Sequence, residues 1–166
     1  MTTTRSAIAT RLAAGNPVRL LYGAVVSAAV LAVIDDTEPP VTVLVSVGSV
    51  LIVYWLVHVY VEALATRIVT PGRSGGASLR TALRQEASIL AGGVPALVVL
   101  AVAFLFGAAV GTAINLAQWT TVLLLAVAGH LGGYRAGLTG WRLALATLNA
   151  TLIGVLTIAL KTVLHH

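Results

Sequence analysis

The chain contains no cysteine, one lysine, and five acidic residues in 166. Without cysteine there is no disulfide framework, no thiolate metal centre and no cysteine nucleophile. Charged residues make up 9% of the chain, against about 25% in soluble domains, so a folded monomer bathed in water is excluded. The apolar runs do not alternate polar with apolar residues, which rules out a transmembrane β-barrel. Also missing are a zincin HExxH, a nucleophile elbow, a phosphate-binding loop and a dinucleotide-binding glycine fingerprint. The glycine-rich stretches GGVPA and GHLGG lie inside apolar runs, not between a strand and a helix. No catalytic residue is assigned, and the sequence leans away from an enzyme. No internal repeat is visible, so the inverted-repeat design of many secondary transporters is not expected.

What remains is 58% hydrophobic, with a mean hydropathy of +1.00. Apolar runs recur at the length of about 20 residues that a helix needs to cross a bilayer, and only helices satisfy their backbone groups alone in lipid. The expected fold is all-α: a single-domain polytopic membrane bundle of five transmembrane helices. The spans are placed at 18–34, 41–64, 88–111, 117–134 and 142–162, with a flexible linker over 70–78. The arginine-bearing start MTTTRSAIATRLAAGNP resembles a signal peptide, but no small-x-small cleavage site precedes DDTEPP, so the first span is read as retained. Pro39 and Pro40 break the chain after it.

Arg5, Arg11, Arg19, Arg67, Arg73, Arg80, Arg84, Arg135 and Arg142 fall in the N-terminal tail and the second and fourth connections. Five spans put these segments on one side. Asp35, Asp36, Glu38 and Lys161 fall on the other. The positive-inside rule then places the N-terminus in the cytoplasm and the C-terminus outside, in a plasma (inner) membrane. The basic balance, net +5, is read as anchoring to anionic lipid at the cytoplasmic face, not as a nucleic-acid surface. Arg80 and Arg84, one turn apart, suit an interfacial start to the third helix.

Small residues at four-residue spacing mark helix contacts in lipid. They recur as Ala103, Gly107 and Gly111 on the expected third span, Gly129, Gly133 and Gly137 at the end of the fourth, and more weakly Gly23, Ser27 and Leu31 on the first. Five helices enclose little interior, which favours a homo-oligomer.

The polar residues inside the spans carry what functional signal there is. Tyr54, His58, Glu62 and Thr66 share one helix face at four-residue spacing. His130 and Tyr134 lie one turn apart near the end of the fourth span, and Asn149 sits about two turns into the fifth. All fall in the inner leaflet on the expected topology. The third span holds Gly92, Gly93 and Pro95 there, which weaken or kink a helix. Ionisable groups within spans are costly unless they face a partner or water. Two readings of His58, His130 and Glu62 stay open: ligands of a divalent metal, or a proton relay.

The functional expectation is a channel or transporter-like protein passing or binding a small cation, with Tyr54, Tyr134 and Asn149 completing the hydrogen bonds. One rival is a scaffold or accessory subunit whose polar groups specify packing. Another is a membrane metalloenzyme acting on a lipid-like substrate. Trp55, Trp119, Trp141 and Tyr22 are read as interfacial belt residues, and His165 and His166 receive no role.

Overall fold

A computed structural model describes residues 17–69 and 75–164. Arg5, Arg11, Arg73, most of the expected 70–78 linker, His165 and His166 lie outside the described residues. Within these residues the chain forms five helices and no strand: α1 (Pro17–Val33), α2 (Pro40–Val69), α3 (Gly75–Leu105), α4 (Val110–Arg135) and α5 (Gly140–Leu164). The last four are long and apolar enough to cross a membrane. The first is shorter, 17 residues, or about 25 Å at 1.5 Å per residue.

Consecutive helices pack side by side from α2 to α5, and α1 packs against all four of them. The first helix is therefore the inner one. Its buried face is made of Gly23, Ala24, Ser27, Ala28, Leu31 and Ala32, all but Leu31 small residues that let neighbouring backbones approach closely. The outermost helix is α5: 6% of its spanning window is buried, against 39% for α4. Around Leu31, the residues Val43, Val47, Ala96, Leu100, Ala113, Ile114 and Ala117 form the main core.

The closest approach is between α1 and α3. A Cβ on Gly23 would strike the Ile89 carbonyl oxygen, and one on Gly92 would strike the Leu20 carbonyl oxygen. Gly93 faces Leu51 and the Ser27 hydroxyl. The glycines at 92 and 93 thus admit a neighbouring helix, and α3 stays helical through Pro95.

Four boundaries differ clearly from the sequence expectation: α2 runs on to Val69, past 64, α3 starts at Gly75, inside the expected linker 70–78 and well before 88, and the other two flank one turn. The third helix ends at Leu105 and the fourth begins at Val110, not at 111 and 117, because the turn is made by Gly107. Its φ of +74° lets Ala108 N–H donate to the Ala103 carbonyl and Gly107 N–H to the Phe104 carbonyl, each at 3.0 Å, the Schellman end of a helix. Gly137, with φ +77°, ends α4 the same way: Leu138 N–H donates to Gly133 O and Gly137 N–H to Tyr134 O, both at 3.0 Å. Ala103, Gly107 and Gly111 consequently do not form one stripe. Ala103 is in the core, Gly107 is in the turn, and Gly111 opens α4 against the Asp36 carboxylate. Gly129 and Gly133 do lie on a helix contact, facing Ala146, Ala150 and Leu143 of α5.

At the other end of the bundle, where Gly111 faces Asp36, the lone lysine closes the bundle. Lys161 Nζ meets Asp36 Oδ1 at 2.6 Å, joining the last helix to the first connection. Asp35 accepts from the Thr37 N–H and hydroxyl, each at 2.9 Å. The acidic turn thus supplies an ion-pair partner to the last helix.

Candidate functional site

The face Tyr54, His58, Glu62 and Thr66 of α2 turns toward α1. His58 Nδ1 lies 3.1 Å from the Tyr54 carbonyl oxygen. A carbonyl only accepts, so Nδ1 carries the hydrogen of that bond, and in the neutral ring Nε2 is left as the basic nitrogen. The ring sits 4.3 Å from Tyr54 and 6.0 Å from Tyr22, centroid to centroid, tilted against both. Tyr22 is thus a neighbour of His58 across the α1–α2 seam and not only a belt residue. One turn along, Thr66 donates to the Glu62 carbonyl at 2.9 Å.

Arg19 precedes Tyr22 by one turn on α1, as Glu62 follows His58 by one turn on α2, so the charges form the next layer of the same seam. Arg19 Nη2 is 3.8 Å from Glu62 Oε2, and Nη1 is 3.0 Å from Glu86 Oε1 on α3. Glu86 is 3% exposed, and its second oxygen, Oε2, is buried without a hydrogen-bond partner. Two carboxylates share one guanidinium, leaving the cluster one positive charge short when both are ionised. Buried charge normally requires a partner and satisfied lone pairs, which makes this unmatched oxygen the most unusual atom of the seam.

Glu86 was not singled out from the sequence, although a signal for it exists. Ala82, Glu86, Ile89, Gly93, Ala96, Leu100 and Ala103 follow alternating four- and three-residue steps, and all are buried. That is the seam period of a packed helix, and the glutamate occupies one of its positions.

His130 belongs to a different place. Its Nδ1 is 3.3 Å from Thr147 Oγ1, whose own hydrogen is given to the Leu143 carbonyl at 3.0 Å. Thr147 therefore accepts, and His130 also presents Nε2 as its basic nitrogen. This imidazole lines an open hollow of about 440 Å³ with Gly140, Leu143, Ala144, Thr147 and Thr151. The structure does not gather His58, Glu62 and His130 into one metal site. α1 and α3 each pack on both α2 and α4, whereas α2 and α4 share at most a marginal contact. Among the described residues, no group of three histidine, aspartate or glutamate side chains is placed to hold a metal ion. Tyr134 and Asn149 are exposed and do not join the seam. Trp55, expected at an interface, packs on the Val59, Ala63 and Ala82 cluster, and its indole N–H is buried without a partner.

No family model, curated protein or solved structure matches this chain.

Proposed function

We propose that the chain is a five-span protein of the inner membrane, N-terminus in the cytoplasm, that takes up a proton in the seam between α1, α2 and α3, in the manner of a small channel or transporter. The observation that carries this reading is the unpartnered Oε2 of the buried Glu86, beside an arginine already shared with Glu62. One added positive charge makes the Arg19, Glu62 and Glu86 cluster neutral. A proton needs a single lone pair, whereas a metal ion needs several ligands, so the number of groups at hand favours a proton. His58 adjoins the layer with a free Nε2, and imidazole is the side chain best suited to exchange protons near neutral pH. The crowding of arginines on one side of the expected topology supports the orientation.

The test is proton flux in liposomes containing the purified full chain, driven by a potassium diffusion potential and read with an entrapped pH dye. Flux should fall at least tenfold in Glu86→Gln and in His58→Ala, with helicity by circular dichroism unchanged. No flux through the natural chain, or undiminished flux in both folded variants, overturns the reading and leaves the seam as a packing device.

A further inference from the structure

We infer that the outer face of α5 is a self-association surface, on which a second copy of this chain packs in parallel with Asn149 meeting its own counterpart. Asn149 lies nine residues past Gly140, the first residue of α5, or about 14 Å along the helix. It is exposed, and its amide has no hydrogen-bond partner among the described residues. A lipid tail offers an amide neither donor nor acceptor, and leaving such a group unmatched in hydrocarbon is unfavourable.

The residues around it are spaced for a helix partner. Leu145, Asn149, Leu152, Leu156, Ala159 and Val163 follow four- and three-residue steps, and all six are exposed. This is the heptad seam of a left-handed helix pair. The opposite side of α5 is already occupied, since Ala146 and Ala150 meet Gly129, and Gly154 meets Val122 and Leu125. The seam is thus a second face, not an extension of the contact with α4.

The identity of the occupant follows from complementarity. An amide carries both donors and an acceptor, so two Asn149 side chains related by a two-fold axis satisfy each other, as an isologous interface requires. All copies insert with the same orientation, so a two-fold along the membrane normal holds both asparagines at one depth. A single buried asparagine at a seam position fixes register and number in helix pairs, and in membranes such polar contacts favour association.

The cysteine-free sequence supplies the experiment, because a single introduced cysteine can cross-link only between copies. In membranes holding the full chain, oxidation of Leu152→Cys and Leu156→Cys should give a covalent dimer. Val57→Cys, equally exposed on α2, should not. In the otherwise natural chain, dilution of donor- and acceptor-labelled protein in liposomes should show Asn149→Leu weakening association about threefold to thirtyfold, as expected for a membrane hydrogen bond worth roughly 0.6–2 kcal/mol. Asn149→Gln should restore most of it. Cross-linking that is absent at the seam or equally strong at Val57, or association indifferent to Asn149→Leu, overturns the inference.

Discussion

Gly23 on α1 and Gly92 on α3 face each other so closely that a side chain on either would run into the other helix's backbone, at the Ile89 or the Leu20 carbonyl. Backbone cannot swing aside as a side chain does. Gly23→Ala and Gly92→Ala are each expected to destabilise the bundle by about 1–3 kcal/mol or more, the range of overpacked cores. Gly48→Ala, where a Cβ meets nothing within 4 Å, should be neutral to within about 1 kcal/mol. Unfolding by sodium dodecyl sulfate from a mild detergent, followed by circular dichroism, measures all three.

Arg19 carries two carboxylates, so removing it strands charge. Arg19→Gln should cost roughly 3–5 kcal/mol, as for breaking a buried pair from one side. Adding Glu86→Gln to it should recover much of the loss, because the uncompensated buried charge then disappears. The same unfolding assay checks this, and a double variant less stable than Arg19→Gln alone would contradict it.

The clasp between Lys161 and Asp36 is half in the open, since the aspartate side chain is 47% exposed. Screening limits its worth to roughly 1 kcal/mol. Lys161→Met and Asp36→Asn should each lower stability by about that much, and the double variant should lose no more than the worse single one, the signature of a coupled pair. A fully additive double variant would show the two residues to be independent.

The turns at Gly107 and Gly137 depend on a left-handed backbone, with φ of +74° and +77°. A Cβ meets no neighbour at either position, so only conformational strain opposes substitution. Gly107→Ala and Gly137→Ala should cost about 1–2 kcal/mol each, while asparagine, which tolerates this region, should cost less. Equal losses for alanine and asparagine would contradict the conformational account.

The helical character of the chain was legible because hydropathy depends on composition over a window, and long apolar stretches permit little else. The ends of α3 and α4 were less legible. Ala108, Ala109 and Val110 continue the apolar run through the turn, so hydropathy does not change where the backbone reverses at Gly107. The seam was half legible. Spacing along one helix puts His58 with Tyr54 and Glu62, but spacing cannot show which helix lies opposite, so from sequence alone Arg19 and Tyr22 look like an anchor and a belt residue. Glu86 is masked in the sequence because it follows Arg80 and Arg84 in a charged stretch resembling an interfacial surface, although its seam position points inward. On the expected topology His130 and His58 share a depth, which makes them look like partners. Depth is one coordinate, and two helices at equal depth still stand on separate sides of α1 and α3.

The inward position of α1 bears on how the molecule comes together during synthesis. Of the five described helices, the one made first is the one packed against all the others, so its small-residue face is made before those four neighbours exist. Asp36 likewise waits for Lys161, made 125 residues later. The finished bundle is accordingly a late product, and its clasp at the acidic end is set only when the fifth helix arrives.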